Sequence, residues 1–312
     1  MSMPRILVSN DDGYASEGLR ALVDAVSPLG EVWVVAPEAE QSASSHAISI
    51  HRPLRIRQVR PGGIPPGVSE RWYAVDGTPT DCSYIAINHL MKDGRPDLML
   101  SGINHGPNLA DDVTYSGTVA AAMEAAILGV PAIAFSLVSR GPMEFGPAAR
   151  FAHRLAEAAL GQPLPANLLL NVNVPGGIEP TSYAVTRLGK HSYGFEVVEK
   201  VDPRGRKYYW IGGNEYQHED IPGSDCNAVL RDGIVSVTVA GQPQPQQVGT
   251  IELARFINPA GLLSQGRNIF LPTQASGNVI TGTAGRDGLG TLIQGFVEGS
   301  NVNVVEEMVG LI

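Results

Sequence analysis

RILVSNDDGYASEGLRALVDAVSPLGEVWVVAP, residues 5–37, is the stretch from which the fold is read. Ile6, Leu7 and Val8 form a short apolar run of the length of a buried strand. After a polar break, Leu19, Leu22, Val23 and Val26 recur at i, i+3, i+4 and i+7, the stripe of a helix laid against a core. Residues 32–36, VWVVA, make a second strand that Pro37 stops. Strand, helix and strand in such a short span form a βαβ unit, which requires a parallel sheet and a right-handed crossover.

The alternation continues. A helix over about 80–92, capped by Thr78 or Thr80, precedes a strand at 97–100. An Ala-rich helix at 116–128, a strand at 132–135, a helix at 146–160 and a strand at 168–172 follow. The expected fold is α/β, a three-layer, mostly parallel Rossmann-like sheet. Residues 195–212, FEVVEKVDPRGRKYYWIG, change period and read as two strands around a Pro-Arg-Gly turn, a protruding β-hairpin arm. Residues 241–247, GQPQPQQ, form a polar linker. Beyond it, 250–297 reads as short strands and Gly-rich turns, and 301–312 as a short terminal helix, so the tail is expected to be β-rich and atypical.

Composition separates the same two parts. All Lys, His, Tyr, Trp and Cys residues precede residue 227, whereas seven of the eleven Gln follow residue 240. Residues 239–312 hold eight charged side chains, about half the density of the preceding part. We therefore divide the chain into a domain over 1–238 and a segment over 239–312. With 31 acidic against 22 basic residues, the net charge of −9 provides no electrostatic footprint for polymeric nucleic acid or an acidic membrane. Two cysteines, Cys82 and Cys226, make neither a disulfide framework nor a zinc pair. Without a signal-peptide pattern at the N-terminus or an apolar run of membrane-spanning length, the expected location is cytoplasmic.

In an open parallel sheet, ligands bind beyond the carboxyl ends of the strands, so the polar residues there are the candidates. Strand one runs into Ser9-Asn10-Asp11-Asp12-Gly13, strand two into Glu38, Glu40, Gln41 and Ser42, and the strand at 97–100 into SGINHGPN, residues 101–108. Adjacent carboxylates repel unless a cation lies between them. Asp11 and Asp12 with a Ser hydroxyl and an Asn amide would offer four hard oxygens to magnesium or manganese. The Asp-Asp-Gly string also suits an ordinary turn. Ser116, before the Ala-rich helix, is a good N-cap, and the free N–H groups of that first turn make an anion seat; plain capping is the other reading. A cation edge beside an anion seat spells a phosphate ester. His105 lies in the Asn-rich loop and could protonate a leaving alkoxide, although an isolated His there, like His46, equally suits a structural role. Asp111 and Asp112 read as a solvated pair before the helix, and Cys82 as packing.

NDDG at 10–13, APEAEQSASSHAIS at 36–49, DGTPTDC at 76–82, SGINHGPN at 101–108 and YSGTVAAAMEAAILGVPAIAFS at 115–136 together resemble the survival protein E (SurE) family, over about residues 4–238. The resemblance implies a metal-dependent nucleotidase that removes phosphate from nucleoside 5′-monophosphates, with 3′-nucleotides as further substrates. It implies one divalent cation per subunit, magnesium or manganese, held by Asp11, Asp12, Ser42 and Asn104. It implies phosphate contacts from Asn108, Ser116, Gly117 and Thr118, and a homodimer or homotetramer assembled through the arm. Residues 239–312 depart from it and, through NPAGL at 258–262 and SNVNV at 300–304, resemble the C-terminal part of a flagellar basal-body distal rod protein. Two other functions therefore stand beside the enzyme: a structural protein linked to the flagellar basal body through the tail, or a nucleotide-binding protein without turnover.

Overall fold

The computed structural model describes residues 3–64, 66–139, 141–162, 164–192, 196–212, 217–240, 252–266 and 269–283. The chain forms two compact units, Met1–Gln244 and Pro245–Ile312.

In the first unit, strand β1 (Arg5–Ser9) leads into helix α1 (Glu17–Val26) and strand β2 (Glu31–Pro37), the βαβ unit expected from residues 5–37. Strand β3 (Ile56–Gln58), the short helix α2 (Pro66–Ser69), strand β4 (Trp72–Val75) and helix α3 (Pro79–Ile85) come next. Strand β5 (Leu98–His105), helix α4 (Gly117–Ile127), strand β6 (Ala132–Val138), helix α5 (Phe145–Leu160) and strand β7 (Leu169–Pro175) complete the alternating part. Strand β8 (Tyr183–Thr186), the two-residue strand β9 (His191–Ser192), the arm strands β10 (Glu196–Val201) and β11 (Lys207–Gly212), the short β12 (Gln217–His218) and strand β13 (Val235–Val239) follow. The main sheet runs β3-β4-β2-β1-β5-β6-β7-β13-β8. Its pairs are parallel except β3 with β4 and β13 with β7.

Alternate residues of each central strand face opposite sides, and this places the layers. Ile6 and Val8 pack with Leu19, Leu22 and Val23 of α1 and with Ala148 and Ala152 of α5. Leu7, between them, packs with Cys82 of α3 and with Val119 and Ala122 of α4. Trp72, fully buried on β4, anchors a strand that the periodicity does not announce, because four residues flanked by polar turns are too few to show a period. Helix α3 is capped by Thr78, whose Oγ1 accepts from the backbone N–H of Asp81 while the Asp81 carboxylate accepts from the N–H of Thr78.

One boundary differs from the sequence reading. Residues 101–105, taken there as the start of a loop, continue β5 and pair with β6, Asn104 against Ser136 and His105 against Leu137. The register shifts between Ser101 and Asn104. Gly102 makes this possible: its φ is +127°, and a Cβ there would stand 2.4 Å from the carbonyl oxygen of Phe135. Asn104 and His105 are thereby carried on a strand end, which is stiffer than a loop.

The arm strands β10 and β11 pair antiparallel, from Glu196 opposite Gly212 to Val201 opposite Lys207. Asp202 closes the tip by accepting from the backbone N–H groups of Arg204 and Arg206 at 2.8 and 2.9 Å. Tyr209, Trp210 and Ile211 are exposed along it.

The second unit contains β14 (Glu252–Arg255) paired antiparallel with β17 (Ile280–Thr283), and β15 (Leu263–Gly266) paired antiparallel with β16 (Ile269–Leu271). Its turns are held by polar side chains: Asn258 Nδ2 donates to the carbonyl of Ala275 at 2.9 Å, and the backbone N–H of Thr273 donates to Ser276 Oγ at 2.9 Å. The short strands match the expectation for 250–297 in its described part. The 241–247 linker and the 301–312 helix lie outside the described residues.

Candidate active site

β1 is the switch point of the sheet. The chain leaves it toward β2 and β4 on one side and is continued by β5 and β6 on the other, so the loops after β1 and β5 part and leave a crevice. An open cleft of about 570 Å³ lies there, lined by Asp11, Asp12, Ser42, Asn104, His105, Asn108 and Ser116 among others. The loop after β1 is held by Asn10, whose Nδ2 donates to the Gly13 carbonyl at 3.1 Å and to Ser16 Oγ at 2.7 Å. Ser16 is itself the N-cap of α1.

Asp11 is only 6% exposed. The Thr118 hydroxyl donates to its Oδ1 and lies 3.3 Å from Asn104 Oδ1, so a carboxylate from the loop after β1 and an amide oxygen from the end of β5 converge on one hydroxyl. Burial pushes the Asp11 carboxyl up to about 6, with the Asp12 charge adding to the rise and the Thr118 hydrogen bond opposing it. Burial also raises Asp12, against the nearby His105. Asp12 Oδ2 is buried with no hydrogen-bond partner.

Two desolvated neighbouring carboxylates, one with an orphaned oxygen, beside an amide oxygen fit a hard divalent cation. Among the described residues, no group of three or more His, Cys, Asp or Glu side chains could hold a metal, so any cation here relies on the amide and hydroxyl oxygens as well. Ser42 lies on the exposed loop above, in the same cleft, and its Oγ donates to Glu40 Oε1 at 2.6 Å.

A stability consequence follows from Asp11. Its folded pKa, about 6, exceeds the ordinary 3.8, so the folded chain binds this proton more tightly than the unfolded one. Stability therefore falls as pH rises from about 4 through 6. With chelator present at pH 7.5, Asp11→Asn is expected to unfold later than the parent chain, by about 1–3 kcal/mol, and the gain should vanish at pH 4. Denaturant melts at the two pH values measure it, and a less stable variant at pH 7.5 would contradict the desolvation argument.

On the other wall, Ser116 caps α4 by accepting from the Val119 N–H at 3.1 Å, which leaves its own hydroxyl proton free to donate into the cleft. Asn108 is held by three neighbours. Its N–H donates to Asn173 Oδ1 at 2.8 Å, its Nδ2 donates to Ser136 Oγ at 2.8 Å, and its carbonyl accepts from Asn171 Nδ2 and Asn173 Nδ2. Sequence reasoning missed Ser136, Asn171 and Asn173. The signal was present: Asn at i and i+2 in LLNVNV points two amides to one side of a buried strand.

Gly117 and Thr118, expected on the phosphate, also pack against Asp11. Thr118 is fully buried with its hydroxyl on that carboxylate, and a Cβ on Gly117 would lie 2.7 Å from Asp11 Cβ. His105 stacks on Phe145, with ring centroids 5.1 Å apart, at the mouth of the cleft. His46 takes the structural role: its Nε2 pairs at 2.8 Å with Glu124, an acid buried on α4, and so ties down the loop that carries Ser42. Asp112 departs from the solvated pair expected of 111–112, since it lines the cleft and meets the buried His191 at 3.1 Å; Asp111 is exposed. Cys82 is buried in the core and burial raises its thiol far above the ordinary range, as packing requires.

The profile of the family described as Survival protein SurE matches residues 6–195. A 5'-nucleotidase SurE of Myxococcus xanthus is 73% identical over 234 residues, 75% of this chain and 86% of that protein. This chain belongs to the SurE family. A 5'-nucleotidase SurE of Geobacter sulfurreducens is 48% identical over 236 residues, again 75% of this chain and 86% of that one. The crystal structure of the SurE protein from Aquifex aeolicus superposes with a TM-score of 0.64 at 41% identity, covering 75% of this chain and 92% of that one. The α/β fold is therefore the SurE fold. A second profile, described as the flagellar basal body rod FlgEFG protein C-terminal, matches residues 293–312.

Proposed function

We propose that this chain is a metal-dependent phosphomonoesterase that hydrolyses nucleoside 5′-monophosphates, and also 3′-nucleotides, to nucleoside and phosphate. The supporting observation is the convergence of the desolvated Asp11 carboxylate and the Asn104 amide oxygen on Thr118, beside the N-terminus of α4, with the desolvated Asp12 carboxylate next in the chain. Relatives named 5'-nucleotidase SurE at up to 73% identity support the reaction class.

Asp11, Asp12, Ser42 and Asn104 would hold the cation. When bound, a divalent ion supplies Lewis acidity toward the phosphoryl oxygens and toward a water molecule. Thr118 fixes Asp11 and Asn104 against each other, and Gly117 lets α4 approach them. Ser116 and Asn108, on one wall of the cleft, donate to the non-bridging oxygens, preorganised by the Val119 N–H and by Ser136, Asn171 and Asn173. Water adds to phosphorus as the ester P–O bond breaks; His105, exposed at the mouth, gives the leaving alkoxide a proton and recovers one from the water that has added. Neither aspartate sits in a known nucleophile motif, so hydrolysis by water is preferred to a phospho-enzyme.

The domain that does this work is placed at 1–238, with 239–312 as a separate segment. The exposed aromatics of the arm support self-association as a dimer or tetramer. No helix among the described residues is long and apolar enough to cross a membrane; a cytoplasmic location accords with that. The match at 293–312 favours a second, binding role for the tail toward flagellar components, separate from catalysis.

The test is phosphate release from a panel of nucleoside monophosphates before chelation, after it, and after return of magnesium or manganese. Loss on chelation with recovery by either ion is the expected result. Undiminished release after exhaustive chelation would overturn the metal dependence, and absence of release under every condition would overturn the enzyme.

A further inference from the structure

The wall of the cleft between β5 and α4 carries Asn108 and Ser116, yet much of what holds it comes from outside the alternating sheet and helices. Ala110, with φ at +50°, stands in the left-handed region that a residue with a Cβ seldom adopts, and its buried N–H donates to Asp225 Oδ2 at 2.9 Å. Asp225 is fully buried and its other oxygen accepts from Gly189 N–H at 2.7 Å and Cys226 N–H at 2.8 Å. One carboxylate thus joins the wall to the chain entering the arm. A second link runs parallel: His191 Nδ1 meets Asp112 Oδ2 at 3.1 Å, and Leu109 and Ala110 pack with Cys226 and Val229 in a small apolar cluster. His191 opens β9, which pairs with β12, and these two short strands flank the arm strands in the chain.

We infer that Asp225 and His191 are positioning residues for the nucleotidase reaction: they hold the 108–116 wall in the shape that presents Asn108 and Ser116 to the phosphate, and they couple that wall to the base of the arm. Neither lines the cleft. The inference rests on the phosphate seat proposed above. It also separates the two halves of the site, because Asp11 is held by the Thr118 hydroxyl and Asn104 by its place on β5 and by donating Nδ2–H to the Gly106 carbonyl at 3.0 Å, outside the 108–116 wall. Loosening the wall should therefore weaken phosphate binding and leave cation binding intact. A merely structural contribution would lower both together with stability.

Asp225→Ala would strand three backbone N–H groups and risks misfolding, so His191 provides the cleaner test. His191→Phe keeps ring volume without a donor, whereas His191→Asn keeps a donor near the position of Nδ1. Three quantities are measured in the full chain: amide hydrogen exchange over 107–116, the dissociation constant of inorganic phosphate with magnesium present, and the magnesium concentration for half-saturation. For His191→Phe, exchange should accelerate and phosphate affinity fall about tenfold or more, as loss of a charge-assisted hydrogen bond implies, with magnesium half-saturation within about twofold. His191→Asn should recover most of the loss. Unchanged exchange, equal behaviour of the two variants, or a joint fall of phosphate and magnesium affinity that tracks a lowered Tm would each overturn the inference. Because exchange and phosphate binding need no turnover, a parent chain that releases no phosphate would sink the proposed reaction and still leave this inference judged.

Discussion

Asp12→Asn is expected to lower phosphate release by about a thousandfold or more, the equivalent of about 4 kcal/mol of transition-state stabilisation, in a protein that folds normally. The structure separates those two outcomes. Asp12 Oδ2 accepts no hydrogen bond, so an amide nitrogen in its place removes none, and the remaining oxygen can keep the carboxylate's contact with the His105 backbone N–H. Its charge is disfavoured by burial, so a neutral amide is tolerated and relieves the repulsion with Asp11. An amide keeps one oxygen for a cation but loses the negative charge, and hard divalent ions discriminate strongly on that charge. Steady-state kinetics across a magnesium titration, beside a thermal melt, measures both. Retention of more than a tenth of parental activity at saturating magnesium would remove Asp12 from the metal edge.

Gly117→Ala should be damaging for a different reason. At the first position of an exposed helix, alanine would stabilise by up to about 1 kcal/mol over glycine. Here the new methyl would stand 2.7 Å from Asp11 Cβ, 2.8 Å from Ser44 Oγ and 3.0 Å from Asp11 Oδ2. Overpacking of a buried contact costs about 1–3 kcal/mol, so it outweighs the propensity gain. Relief requires Asp11 or the start of α4 to move, and both carry the chemistry. A displacement near 1 Å is worth roughly a hundredfold in rate. We expect kcat/KM to fall by about that factor with Tm slightly lowered; full activity with a raised Tm would show that the methyl is accommodated.

Local sequence carried much of this site. The Asp11-Asp12 pair, the Ser116 cap and the strand ends that carry them are written in short-range patterns, because strand and helix periods repeat within a few residues. Neighbouring loops of a parallel sheet must then open on the same edge. Motif similarity extended the reading to Ser42, Asn104 and Asn108. Where the structure differs from that reading or adds to it, a distant partner decides. Asn104 belongs to a strand because Gly102 lets β5 pass the Phe135 carbonyl. Thr118 turns to a carboxylate 107 positions away in the chain, and Ala110 donates to one 115 positions away. Asp112 belongs with His191, 79 positions on.

By itself, then, the sequence determined the α/β class, the cleft edge and the chemical kind of its residues, since those follow from local periodicity and residue type. Only the tertiary structure decided which acid is desolvated, which hydroxyl faces the carboxylate and which buried aspartate braces the cleft wall at Ala110. Desolvation and hydrogen-bond partnership are properties of what surrounds a group in space, and chain neighbours supply little of that surrounding.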